Sequence, residues 1–412
     1  MSILHPTKTL PALLPRYVTR FACIGSACED NCCSGWLVTL DKKTFHAYRN
    51  STHPELKPIF AKHVKRSRAT DNDELHYGKI TLDPASQSCP AMSCGLCAVQ
   101  KNLDESHLSN TCFTYPRQTR RFRGQHEQAL NLSCPEAARQ ALLHADAFDF
   151  VEDSITMRQA DVIEGFAGFG LTTAAVNDVR IFCLQLMRTT DLALWQRLAI
   201  LGVFCERLNA TLANGQHAAV PALLDDFAAL IEQGSIVGAL HDLRPNHEAQ
   251  AMVFSTLLAD RGFSSTSRMQ AEQVHMIGAN LGADASGQTT ADALVASYTR
   301  GLERLGRALE QAPHLLENYV LNEMFLTLFP CYGINPFDAY LQLVARFGLL
   351  RLILAARCNN DGELPDANAL VNTVHVYCRR FQHQSTFARR VNGALHASGW
   401  SSLDKLYGFL RS

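Results

Sequence analysis

Four cysteines fall within one short stretch, CIGSACEDNCC, at Cys23, Cys28, Cys32 and Cys33, and five more follow at Cys89, Cys94, Cys97, Cys112 and Cys134. Of the chain's 14 cysteines only Cys183, Cys205, Cys331, Cys358 and Cys378 lie further on, scattered as small buried hydrophobes usually are. The crowded front thiols ask for a chemical cause. Disulfides need an oxidising compartment, and the N-terminus has no basic stretch leading into an apolar segment and a small-residue cleavage site, so reduced thiols are expected. Thiolates are soft metal ligands, and cysteines separated by four, three and no intervening residues bring several sulfurs near one point. A zinc knuckle would use two-residue pairs, yet only Cys94 and Cys97 form one and no partner pair follows. The adjacent Cys32 and Cys33 suit a cage in which neighbouring thiolates serve different irons. An iron–sulfur cluster is therefore expected ahead of zinc.

The elements that must position these thiols are partly legible. LPALLPRYV ahead of Cys23 reads as an ordered arm or short strand. GWLVTLD alternates as a strand and Asp41 caps a helix through DKKTFHAYRN. A basic run, Lys57, Lys62, His63, Lys65, Arg66 and Arg68, reads as a helix with a solvated or docking face, and HYGKITLD as a further strand. Prolines after Cys89 and Cys134 hold turns around the sulfurs, and Cys134-Pro135-Glu136 reads as a helix entrance. Arg117, Arg120, Arg121 and Arg123 follow Cys112, where a guanidinium would hold a carboxylate or offset the charge of a thiolate cage.

With 412 residues, 47% of them hydrophobic and 19% charged, the chain has room for two or three domains with an ordinary soluble core. A formal net charge of −1 speaks against a nucleic-acid binder, although the front is mildly basic and the back acidic. Helical periodicity dominates beyond residue 146, with candidates near 154–166, 174–189, 191–212, 218–233, 247–260, 267–281, 290–311, 313–329, 337–358, 366–381 and 385–397. The apolar run from Leu341 to Arg357 carries Arg346 and Arg351 and falls short of a bilayer span, so it reads as a long buried helix. GFAGFG at 165–170 follows a helix-like ADVIE, which disfavours a nucleotide-binding turn. The fold expected is mainly α, with a cysteine-rich metal-cluster domain of little strand over 1–145 and an all-helical domain over 146–412.

The order CIGSACEDNCCSGW, an Asp-led helix, the Cys89 to Cys97 group, TCFTYPR and LSCPEA resembles the family of flagellin lysine N-methylases. More distantly it resembles small cysteine-cluster proteins described as zinc or iron chelators. The first resemblance covers residues 23 to 136 and implies a cytoplasmic enzyme that transfers methyl groups from S-adenosylmethionine to flagellin, its protein partner, and carries a four-iron four-sulfur cluster. The ligands would come from Cys23, Cys28, Cys32, Cys33, Cys89, Cys97, Cys112 and Cys134, with Cys94 dispensable. The three-residue, two-residue cysteine triplet of common radical S-adenosylmethionine enzymes is absent, which leaves radical and polar transfer both open. Methylating lysine requires removing the ammonium proton, for which Tyr115, then Asp41 and Glu136, are the candidates near the cluster. Arg117 is the candidate cofactor-binding residue. A non-enzymatic metal-stabilised adaptor with a basic docking front is the competing class, and neither nucleic acid nor membrane is an expected partner.

Overall fold

The computed structural model describes residues 4–67, 74–259, 268–331, 333–360, 362–383 and 387–411. The chain divides into two compact units, one formed by Met1–Gln140, Asp149–Glu164 and Ser265–Glu272, the other by Ala141–Phe148, Gly165–Ser264 and Gln273–Ser412.

Among the described residues every strand belongs to the first unit: β1 (Lys8–Pro15), β2 (Val38–Leu40), β3 (Val64–Arg66), β4 (Gly78–Ile80), β5 (Met92–Ser93), β6 (Leu96–Cys97), β7 (Arg117–Phe122), β8 (Gln125–Leu130), β9 (Phe150–Met157) and β10 (Val162–Glu164). The expectation of little strand in the front is thus corrected. A five-stranded sheet runs β10-β7-β8-β1-β9, with β1 parallel to β8 and antiparallel to β9. The segment 154–166, expected to be helical, instead finishes β9 and forms β10, where β-branched Ile155, Thr156, Val162 and Ile163 favour extended backbone. Strands β7 and β8 escaped notice because their inward positions are polar. Thr119, Arg120, Glu127 and Gln128 are all buried, and the Gln128 amide donates to Thr119 Oγ1 at 2.8 Å. Such strands lack the apolar alternation that marks a half-buried sheet. Two-residue turns with left-handed φ join β7 to β8 at Arg123-Gly124 and β5 to β6 at Cys94-Gly95, the twist that tight hairpins require.

A smaller sheet, β2-β4-β3, packs with the helices Lys42–Arg49 and Leu56–His63 around Val38, Leu40, Tyr48, Leu56 and Phe60. The basic run is not one helix. It ends at His63, and Lys65 and Arg66 continue on β3, where Arg66 lies over the Tyr77 ring at 3.3 Å. Arg68 lies outside the described residues.

The second unit is helical throughout its described residues. Its axis is the helix Pro336–Cys358, started by the Asn335 side chain, which accepts from Asp338 N–H at 2.8 Å, and by proline in the first turn. This is the one described helix long and apolar enough to cross a membrane, and most of it is buried as a core helix. Gly348 lets the Phe254 ring of the helix His247–Ala259 lie directly on its backbone, and Gly202 of the helix Leu194–Ala213 does the same for Tyr340. Arg351, itself buried, donates to Leu410 O at 2.6 Å and to Phe409 O, satisfying carbonyls at the end of the helix Leu403–Leu410. Most helices fall within a few residues of their expected bounds. Expected ends at 260, 267 and 385 lie outside the described residues.

Candidate functional site

Backbone pairing draws the two cysteine groups together. Cys89 N–H donates to Cys33 O at 2.6 Å, Gly35 N–H to Gln87 O at 2.9 Å, and Ser34 bridges Ser88. Cys97 ends β6 and opens the helix Ala98–Leu103, while Cys112 sits in the helix Asn110–Thr114, whose cap Ser109 accepts from Cys112 N–H at 3.2 Å. Cys33, Cys97 and Cys112 pack against the hydrophobic cluster that contains buried Cys89. Cys134 precedes the helix Pro135–Leu142, and Arg139 of that helix holds Glu29, between Cys28 and Cys32, as well as Glu136 at 2.8 Å. Four chain segments thereby bring their thiols to one region of the first unit. None of the cysteines is in a disulfide.

Exposed Cys32 lies within electrostatic reach of Cys28, Cys33, Cys89, Cys97, Cys112 and Cys134. Burial, and behind it repulsion from neighbouring thiols, pushes Cys89 up to about 11 and Cys112 and Cys134 up to about 12. Cys33 is raised still further, first by its hydrogen bond with Cys32. Thiols raised in this way stay protonated unless a cation compensates the thiolate charge, which is the chemistry a soft metal supplies. The thiols are soft donors of the type that iron–sulfur and zinc groups take. Among the described residues no three His, Cys, Asp or Glu side chains close on a common point for one ion. Exposed Cys94 occupies the β5–β6 turn tip. Cys23, also exposed, lies within electrostatic reach of Cys28.

The candidate proton acceptors have different settings. Asp41 caps the helix Lys42–Arg49, accepting from Thr44 N–H at 2.9 Å and Thr44 Oγ1 at 2.5 Å, with His5 Nε2 at 3.5 Å. Burial pushes its carboxyl upward, but the bonds from His5 and Thr44 prevail and lower it to about 2, so it is a cap and a weak base. Because the folded value lies below the ordinary 3.8, this stabilisation is full above that range and is lost as pH falls toward 2. Replacing Asp41 with Ala is expected to destabilise the first unit by about 1 kcal/mol at pH 7. Urea unfolding across pH should show the gap between parent and variant closing in acid. Glu136 accepts from Arg139 and, at 2.8 Å, from the Gln140 amide, which commits it to tying down the Cys28–Cys32 loop. Tyr115 stacks obliquely on Trp36 at 4.8 Å between ring centres, and its hydroxyl meets Ser133 Oγ at 3.1 Å. Trp36 Nε1 donates to Cys32 O at 2.5 Å, so Tyr115 bridges the Cys32 loop and the residue before Cys134.

Arg117 lies elsewhere, on the large sheet. Strand register places Arg117 opposite Leu130, Thr119 opposite Gln128, Ala12 opposite His126 and Asp153 opposite Ala12, so one sheet face collects Arg117, Gln128, Leu14, Asp153 and Ile155 from four adjacent strands. Above this face is a cavity of about 410 Å³, completed by Val18, Thr19, Glu105, Phe113, Ser154 and Thr156. Buried Arg158 fixes that upper wall. Its guanidinium lies 4.0 Å from the centre of the Phe113 ring and donates to Leu108 O at 2.9 Å and Glu105 O at 3.0 Å. Glu105, Phe113, Gln128 and Asp153 carry no motif, and only the β-branched run after Asp153 hinted that it belonged to a strand.

Residues 180–409 match the family model described as the FliB lysine N-methylase C-terminal domain. The chain is 27% identical over 399 residues to a lysine-N-methylase of Salmonella typhimurium, covering 93% of this chain and 94% of that protein. It is equally similar, with the same coverage, to a lysine-N-methylase of Salmonella choleraesuis. The flagellar biosynthetic protein FliU of Salmonella muenchen is 36% identical over 141 residues, 34% of this chain and 82% of that protein. No solved structure matches.

Proposed function

The chain belongs to the FliB family of flagellin lysine N-methylases, and from that premise we propose that it methylates the ε-amine of flagellin lysines in the cytoplasm, with S-adenosylmethionine as methyl donor. The observation that carries this reading is similarity along nearly the whole of both chains to proteins named lysine-N-methylase, with the family match over the helical region. The flagellar name of a third relative supports flagellin as the substrate.

An ammonium group has no lone pair to offer a methyl carbon, so the lysine must first lose its proton. Asp41 and Glu136 are held in structural bonds, and the Tyr115 hydroxyl, itself bonded to Ser133, is the group beside the thiols that would orient the amine by accepting a hydrogen bond from it, the ammonium proton leaving to water. The donor, when bound, supplies a methyl group on a sulfonium sulfur; in polar transfer the nitrogen–carbon bond forms as the carbon–sulfur pair returns to sulfur. Cys28, Cys32, Cys33, Cys89, Cys97, Cys112 and Cys134 are the thiols that would hold an iron–sulfur cluster, which when bound supplies a structural crosslink or an electron. Their convergence on Cys32 supports that assignment.

Anaerobic, metal-loaded protein incubated with unmethylated flagellin and methyl-labelled donor is expected to place label on lysine, located by peptide mass spectrometry. Adenosylhomocysteine as sole coproduct would identify polar transfer, and deoxyadenosine a radical route. Absence of lysine label with and without reductant, on folded flagellin, would reject the substrate and leave a metal-stabilised adaptor.

A further inference from the structure

We propose that the cavity on the five-stranded sheet is the S-adenosylmethionine site, with Arg117 holding the donor's carboxylate and Asp153 and Glu105 facing its cationic groups. The inference rests on the methylase reading above and assigns it a place in the fold.

Three observations converge on it. The cavity, about 410 Å³, falls within the roughly 300–1,000 Å³ of small-molecule sites and exceeds what one lysine side chain fills. Its charged lining is one guanidinium and two carboxylates, an excess of one negative charge. S-adenosylmethionine carries a sulfonium, an ammonium and one carboxylate, an excess of one positive charge, so the two sets are complementary in sign and in number. Phe113 gives the wall an aromatic surface of the kind that favours a sulfonium, and it directly follows Cys112 in the chain. The lining is also rigid. Arg117, Gln128 and Asp153 stand on paired strands, and Arg158 locks Glu105 and Phe113 from behind, so the donor would meet a site already shaped.

The test is calorimetric titration of the full anaerobic protein with S-adenosylmethionine, without flagellin. Arg117→Gln and Asp153→Asn are each expected to raise Kd about tenfold to a hundredfold, as removal of a charged hydrogen-bond partner does. Glu152→Gln is the control, since Glu152 does not line the cavity and accepts from Gln125 at 3.1 Å, and its Kd should stay at the parent value. A second measurement needs no variant. Ultraviolet irradiation of the parent protein with methyl-labelled donor should fix label in the peptides spanning 105–117 or 150–157. Parent-like Kd in both variants, or label confined to other peptides, would overturn the site while leaving the methylase reading intact. Unchanged donor affinity with a raised KM for flagellin would assign the cavity to the lysine instead. Failure of the parent protein itself to bind the donor would remove both the site and the methylase reading.

Discussion

Serine in place of Cys32 or Cys112 is expected to take metal content from about four irons per chain to nearly none and to lower lysine methylation at least about a hundredfold. Cys32 lies within electrostatic reach of the six others, and half-buried Cys112 packs against the cluster that holds Cys89, so either loss removes a donor from the group. Metal binding and folding are coupled where a site does not exist in the unfolded chain. Amide exchange should therefore quicken around Cys33, Cys89 and Cys97 while the helices of the second unit keep their protection. Cys94→Ser supplies the contrast, because that residue is exposed at a hairpin tip and serine fits the same turn. Iron analysis of anaerobically purified protein decides the matter. Retention of metal by both variants, or equal loss in Cys94→Ser, would dissolve the ligand assignment.

The second large effect is one of packing. Alanine at Gly348 would push a methyl group into the Phe254 ring, and the neighbouring helices leave little room to yield, because Phe254 is 1% exposed and packs on Phe409 at 5.2 Å between ring centres. Overpacking of this kind costs about 3 kcal/mol. For a unit of this size that corresponds to a fall of about 6 to 12 °C in melting temperature. Gly306→Ala, on an exposed face of the helix Ala291–Leu309 with open space around it, is expected to raise stability by about 0.5–1 kcal/mol, since alanine costs less backbone entropy in a helix. Calorimetric scans of the two variants should move in opposite directions. Equal, small shifts would show that the helix crossing is looser than drawn.

The helical unit was legible because its outer helices bury one face at a 3.6-residue period and its axis helix is apolar over most of its length. The helices Thr173–Arg188 and Pro336–Cys358 show how closely apolar spacing, a capping Thr or Asn and a first-turn proline mark such elements. Asp41 was legible as a cap from DKKT alone. The large sheet was not, since β7 and β8 bury arginine, glutamate, glutamine and threonine, whose burial depends on hydrogen bonds that only the paired strands create. The thiol gathering could be read from spacing within each group, but the joining of Cys33 to Cys89 depends on a backbone pairing across more than fifty residues. The cavity was hidden for the same reason. Arg117 stood out as a basic residue near cysteine, whereas Asp153 comes to the same sheet face only through the register of four strands.

The position of β1 inside its sheet bears on how the protein is made. It is the earliest strand to leave the ribosome, yet its partners are β8 and β9, and the second of these ends at Met157. At about 5–20 residues per second, the interval between them lasts on the order of ten seconds. Throughout that time the nascent chain presents an unpaired strand edge of the kind that invites wrong partners. A chain truncated or stalled before Gln125 would leave β1 with neither of its partner strands and its edge open to pairing with other chains.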